Sequence, residues 1–453
     1  MTSGHASPLL GPLFATEAMA AVFSDRARLQ GMLDFEAALA RAEAATGVIP
    51  SAAADAIARA CLADRFDPEA LGQEAAQAGN PAIPMVKQLT ALVAADDPAA
   101  ARFVHWGATS QDAMDTGLVL QLRAGLGAME PDLQRLSAAL AALAEAHAET
   151  PMIGRTWLQH AVPVTFGLKA AGWLSAIERS RARIEAAGRS AQVLQFGGAA
   201  GTLAALGSRG LDVAAALAEI LDLFLPDLPW HAHRDRLADM GAALALLVGT
   251  LGKMACDLSL LMQTEVAEAL EPPGQGRGGS STMPHKRNPI ACAVALAAAT
   301  RAPNLAATLF AAMPQEHERG LGGWHAEWET LPEIFLLASG ALRQMADAID
   351  GLTVDPRRMR ENLDATRGLV MAEAVTMALG ERIGRSEAHH QVEAACRRAV
   401  EEGAHLRDIL GRDPAIAGHL TAEQLDRLFL PEAYLGVAER LVRQALAARR
   451  ERT

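Results

Sequence analysis

Residues 236–270 read RLADMGAALALLVGTLGKMACDLSLLMQTEVAEAL, and this stretch decides the fold class. Leucine, alanine, valine and methionine fill so many positions that no polar stripe runs along a helix drawn through it. A helix that is apolar nearly all round must be enclosed by other helices, which makes it a member of a bundle. The same Ala/Leu character recurs at 113–149, 163–190, 210–224, 290–313 and 331–350. No strand-type alternation persists beyond a few residues, so the reading is an all-α fold with a long central helical bundle.

Outward from the bundle the pattern changes on both sides. Residues 16–47 begin with Thr16 and Glu17 and carry apolar positions at helical spacing through Phe23, Leu29, Met32, Leu33, Phe35, Leu39 and Ala42, which predicts an amphipathic helix pair. Gly79, Asn80, Pro81 and Pro84 interrupt the helical pattern, and Trp106 to Thr109 form a second break. Beyond Leu363–Gly368 the helices become shorter and more charged, with breaks at Gly384, Asp413-Pro414 and Pro431. The expected organisation is an N-terminal helical domain over 1–111, a central bundle over 112–363 and a C-terminal helical domain over 364–453.

Composition agrees with this plan. The chain has 453 residues, 51% apolar but only 4% aromatic, with Tyr434 the single tyrosine. Its core must therefore be built from Ala, Leu and Val, a mix that favours helices. A formal net charge of −12 argues against a general nucleic-acid binder, which needs a basic face. Cys61, Cys256, Cys292 and Cys396 form no CxxC pair, so buried free thiols are expected rather than a zinc knuckle or a disulfide scaffold. The N-terminus carries no basic patch followed by an apolar run, and the apolar runs read as too short to span a bilayer. No membrane association and a cytoplasmic location are expected.

Three separated segments are too polar for interior helices. They are His105-Trp106-Gly107-Ala108-Thr109-Ser110-Gln111-Asp112, Gly154-Arg155-Thr156-Trp157-Leu158-Gln159-His160, and Gly279-Ser-Ser-Thr-Met-Pro-His-Lys-Arg-Asn-Pro289. Each sets hydroxyls beside basic or amide groups, a donor set suited to anionic oxygens. Glycine-rich as it is, the approach through Gly274, Gly276 and Gly278 is not followed by the GK[ST] of a phosphate-cradling loop. The pairs His231/His233 and His389/His390 lack further ligands at a familiar spacing, so no metal is expected, and the 231–233 stretch reads as a surface connection.

The third segment resembles the signature of the fumarase/aspartase superfamily, and the first two are similar to its other site-forming regions. The resemblance covers nearly the whole chain. It implies a homotetramer with active sites shared between subunits, a small carboxylate substrate and no cofactor. It also implies chemistry in which a serine of the signature loop moves a proton at the carbon beside a carboxylate through an aci-carboxylate intermediate. Carried over by position, Ser280 is that serine with Ser281 beside it, and Lys286 and Asn288 hold the carboxylate on which charge grows, as fixed donors should. His105, Thr109, Ser110, Arg155, Thr156, Gln159 and His160 are the walls that position carboxylates, and Arg319 is a partner for a further one.

Trp157 departs from the superfamily, many members of which carry a histidine that protonates the leaving amine or hydroxide. A carboxylate, with an acid pKa of roughly 4, leaves without that help. The expected reaction is thus a cycloisomerisation that interconverts 3-carboxy-cis,cis-muconate, a tricarboxylate, and 4-carboxymuconolactone, in protocatechuate degradation. Trp324 and Trp328 stand where adenylosuccinate lyases carry phosphate-binding residues after a pair like Glu318-Arg319, and the Arg-Tyr pair of those lyases is absent. An amine-eliminating lyase of that kind is the alternative, with a catalytically silent helical scaffold behind it.

Overall fold

The computed structural model describes residues 7–273, 278–279, 282–283 and 285–451. Five long helices dominate it: Ser110–Ala146, Phe166–Ala191, Asp235–Leu261, Ile290–Ala312 and Gly323–Asp350. Their placement follows the apolar segments of the sequence, and the class is all-α. The Asp235–Leu261 helix stops short of residue 270. Beyond it the chain turns through Ala267 at φ 49, and β3 (Ala269–Leu270) pairs with β4 (Thr353–Val354).

By internal contacts the chain forms two compact units, one of residues 1–133, 180–252 and 294–344, the other of 134–179, 253–293 and 345–453. The first unit begins with the expected helix pair, Glu17–Val22 and Asp25–Ala45, whose starts are capped by the Thr16 and Ser24 hydroxyls accepting from the Met19 and Ala27 amides. Within it Phe23 stacks on Phe335 at 5.1 Å. The Asp25–Ala45 and Ser110–Ala146 helices meet at Gly31 and Gly117, where a Cβ on Gly31 would stand 2.9 Å from the Gly117 carbonyl oxygen. Only glycine permits so close a crossing of two backbones.

The second unit contains the C-terminal helices, which bury Val375, Leu379, Val392, Leu406, Leu410 and Ile416 in a core of their own. It also holds the main departure from the expected pattern, an antiparallel hairpin of β1 (Pro151–Thr156) and β2 (Gln159–Thr165). Its alternation is broken by a register shift between Ile153 and Arg155 and by Pro163, which hides the strands from a period-two reading. Trp157 and Leu158 form the two-residue turn, both at positive φ (52° and 63°), the geometry that usually selects Asn-Gly.

Two further expectations are corrected. The Asp235–Leu261 and Ile290–Ala312 helices are in fact long and apolar enough to cross a membrane by length and composition. Bundle helices apolar all round meet the same criterion, and here 50% and 39% of the two apolar windows are buried inside the chain. The four cysteines are all free, yet only Cys61 and Cys292 are buried, while Cys256 is exposed.

Candidate active site

In the first unit, the break at 104–109 leads directly into the N-terminus of the 37-residue Ser110–Ala146 helix. The Thr109 amide donates to the Asp112 carboxylate (3.0 Å), leaving the Thr109 hydroxyl to meet Arg319. The Arg319 guanidinium donates to Thr109 Oγ1 at 2.7 Å, to Gln111 Oε1 at 3.2 Å and to Ser110 Oγ at 3.5 Å. A cation, two hydroxyls and the positive end of a long helix converge here, a combination that attracts carboxylates. Arg319 faces only neutral oxygens in these contacts, so its charge is available to a ligand.

Beneath this cluster lies a buried ionic layer that the sequence did not disclose. Arg234 is almost wholly enclosed and pairs with Asp115 (2.7 and 3.0 Å) and Glu327 (2.5 to 3.1 Å), while its guanidinium lies 4.9 Å from the Trp230 ring. Burial alone would discharge it, but the two carboxylates outweigh that and hold its pKa above the ordinary arginine value. Gln111 donates to Asp115 and so ties Arg319 to this layer. Trp324 donates its indole N–H to Asp115 at 3.0 Å and packs edge-on against Trp328 at 5.0 Å. Two indoles thus occupy the positions that matter for a nucleotide phosphate in the adenylosuccinate lyase resemblance.

His231 corrects the surface reading of 231–233. It is 3% exposed, and its Nε2–H donates to Asp112 Oδ1 at 2.7 Å. Asp112 also accepts from the Gly197 and Gly198 amides, which fixes the start of the helix. Among the described residues no group of three or more His, Cys, Asp or Glu could hold a metal ion.

The second unit carries Arg155, Thr156, Gln159 and His160 on the hairpin. Arg155 does not offer an open guanidinium. It forms a two-pronged pair with Glu268 (2.8 and 2.7 Å), whose buried carboxylate also accepts from Asn362 (2.8 Å). His160 is exposed, and its pKa is lowered by partial burial and by the charge of Arg155, with Glu268 acting the other way. Beyond them Trp157 protrudes at 97% exposure. Lys169 follows on the Phe166–Ala191 helix, its ammonium disfavoured by burial, with Lys253 and Arg155 reinforcing the effect. The sequence reading passed over Glu268 and Lys169; a glutamate ahead of the glycine-rich run was the only available signal for the former.

Ser280 and Ser281 lie outside the described residues. What flanks them is ordered by backbone contacts: Gly279 bridges Arg287, the Asn288 amide donates to the Gly278 carbonyl at 2.9 Å, and the Lys286 amide donates to the Met283 carbonyl at 3.0 Å. Gly278 sits at φ 68 with a hypothetical Cβ 2.6 Å from the Asn288 carbonyl oxygen, so a side chain there would force the two arms apart. The buried Glu271 carboxylate accepts from the Ala291 and Cys292 amides, capping the helix that follows the segment. Lys286 is exposed and Asn288 half-buried.

Comparison with known proteins gives the family. The family described as "Lyase" matches residues 14–303, and "Adenylosuccinate lyase C-terminus" matches 368–445. A protein of Pseudomonas aeruginosa named 3-carboxy-cis,cis-muconate cycloisomerase is 60% identical over 447 residues, covering 99% of this chain and 97% of its own. One of the same name from Bradyrhizobium diazoefficiens is 58% identical, covering 97% and 98%. The crystal structure of 3-carboxy-cis,cis-muconate lactonizing enzyme from Pseudomonas putida superposes with a TM-score of 0.94 at 55% identity, covering 98% of this chain and 99% of that one. This chain belongs to the lyase family of the fumarase/aspartase superfamily.

Proposed function

We propose that the chain is a cycloisomerase interconverting 3-carboxy-cis,cis-muconate and 4-carboxymuconolactone. The observation that carries this is 60% identity, across 99% of the chain, to a protein named for that reaction. The physical reason it fits is Trp157. An indole has no proton to give at neutral pH, so the group that leaves or attacks must be stable as an anion, and a carboxylate is.

In the lactonising direction one substrate carboxylate adds to the conjugated double bond of its own molecule, forming a C–O bond and pushing an electron pair into the neighbouring carboxyl group. Lys286 and Asn288 hold the resulting aci-carboxylate, and Ser280 delivers the proton that forms the new C–H bond. His105, Thr109, Ser110 and Arg319 bind one carboxylate. Thr156, Gln159, His160, Ser281 and Arg155 with its Glu268 partner line another wall. In this reading the central domain, 112–363, carries the signature segment and the Arg155–His160 and Arg319 positions, the end of the N-terminal domain, 1–111, supplies His105, Thr109 and Ser110, and 364–453 is the C-terminal domain.

The working form in this reading is a cytoplasmic homotetramer whose sites are shared between subunits, without metal, nucleic acid or membrane. The exposed Trp157–Leu158 turn supports it, since a solvated indole at a hairpin tip has most to gain from a neighbouring surface. Purified protein mixed with 3-carboxymuconate, with no metal or nucleotide added, should destroy the diene absorbance. Ser280→Ala should abolish that decay while leaving helicity and oligomeric state intact. Cleavage of adenylosuccinate to AMP and fumarate, without loss of the diene, would overturn the reading in favour of an amine-eliminating lyase.

A further inference from the structure

Glu36 stands on the core-facing side of the Asp25–Ala45 helix, with Met32, Phe35 and Leu39 as neighbours, and is 1% exposed. A carboxylate in such a place needs compensation. Its Oε1 accepts from His105 Nδ1 at 2.6 Å, and its Oε2 is buried with no hydrogen-bond partner. About two turns further along, Glu43 is equally enclosed, and neither of its oxygens has a partner. The two glutamates differ in one respect: Glu36 has His105 and Glu43 has nothing.

His105 is itself held in an uncommon way. Its backbone lies at φ 58, in the left-handed region, at the head of the turn that delivers Thr109 and Ser110 to Arg319. With Nδ1 committed to Glu36, Nε2 is the ring's only other polar atom, and among the described residues it has no partner. A ring fixed at one nitrogen by a buried carboxylate and left open at the other is arranged to donate to something that is not protein.

We propose that Glu36 is a positioning residue that fixes His105 as a charged ring, with its Nε2–H presented to a substrate carboxylate beside Thr109, Ser110 and Arg319. The inference rests on the cycloisomerase reading and deepens it by adding a cation whose charge depends on a residue outside the three polar segments. The surrounding charges are consistent with it. Burial works against the imidazolium, but the charge and hydrogen bond of Glu36 and the more distant Asp112 outweigh it and hold the His105 pKa above the ordinary histidine value. Glu43 is pushed up to about 9 by burial and by Glu36. The Cys61 thiol is raised by burial, by Glu36 and by Asp34, against the pull of Arg41. Glu43 and Cys61 therefore keep one protonation state across neutral pH, and neither adds a competing charge beside the Glu36–His105 pair.

The test is the pH dependence of KM and kcat for 3-carboxymuconate in the full-length enzyme, with Glu36→Gln, Glu36→Asp and His105→Gln beside the parent. In the parent, KM should rise as pH climbs through the His105 pKa. Glu36→Gln preserves an acceptor but removes the charge, so the rise should move at least one pH unit lower. KM at pH 7.5 should increase about tenfold with kcat changed less than threefold. Glu36→Asp should recover part of the parent profile, and His105→Gln should remove the pH step altogether, a result that does not require the Glu36 variants to fold. Parent turnover with an unshifted Glu36→Gln profile, or with a pH step that survives in His105→Gln, overturns the inference and leaves the cycloisomerase reading standing. A parent that does not consume the diene overturns both.

Discussion

The Arg319 cluster and the 151–165 hairpin carry the same kinds of side chain and solve opposite problems. Around Arg319, donors are assembled within one unit of one chain, and the buried Asp115–Arg234–Glu327 layer fixes the helix that supplies them. On the hairpin, Arg155 is already neutralised by Glu268, and the turn places Trp157 and Leu158 in water at positive φ. The first region is finished by folding. The second spends backbone strain on a surface that the chain itself leaves uncovered. One surface is complete within the single chain, and the other is left open at its tip.

The contrast is broken most decisively at its foundation. Arg234→Met leaves two buried carboxylates unpaired and should cost about 3–5 kcal/mol of unfolding free energy in urea. A change below 1 kcal/mol would mean that the ionic layer does not support the first region. Glu43 provides the next largest effect. Its folded pKa of about 9 lies above the unfolded carboxylate value near 4.3, so the folded state retains a proton and loses relative stability as pH rises between those values. Glu43→Gln removes that loss. The variant should gain about 2–4 kcal/mol relative to the parent between pH 5 and pH 8, and parallel urea curves at the two pH values would contradict it.

Arg319→Met probes the finished site while leaving the Asp115–Arg234–Glu327 ion pairs in place. It should lower kcat/KM by about 100-fold, near 2.7 kcal/mol, by initial rates, with thermal stability nearly unchanged. The smallest effect belongs to the hairpin. Replacing Trp157-Leu158 by Asn-Gly should relieve about 1–2 kcal/mol of local strain, visible as slower hydrogen exchange of the hairpin amides, while turnover falls at least tenfold. Slower exchange with full turnover would show that the tip has no catalytic use.

The bundle was readable because its helices are apolar on nearly every face, and the N-terminal helices because Thr16 marks a start and Gly79 an end. The hairpin was not, since a register shift, Pro163 and a Trp-Leu turn remove every signal by which hairpins are usually recognised. In the site, Thr109 and Ser110 stood out by residue type and Arg319 only through the family resemblance, and the three do converge. Arg155 was legible as a cation but not as one already spoken for, because Glu268 lies 113 residues away. The Asp112–His231 and Asp115–Arg234 contacts each span 119 residues, and no local pattern reports such a pairing. Glu36 and Glu43 left a trace, a carboxylate twice in the apolar stripe of one helix, and that trace points to the His105 contact.

The meeting of Gly31 with Gly117 works as a gauge. Five residues beyond Gly31 stands Glu36, and seven before Gly117 stands Ser110, so the spacing of two bare backbones is transmitted to the atoms on which an anion would rest. A single methyl at either point would act as a shim, lifting one rod off the other and loosening the grip on a ligand without altering any group that touches it.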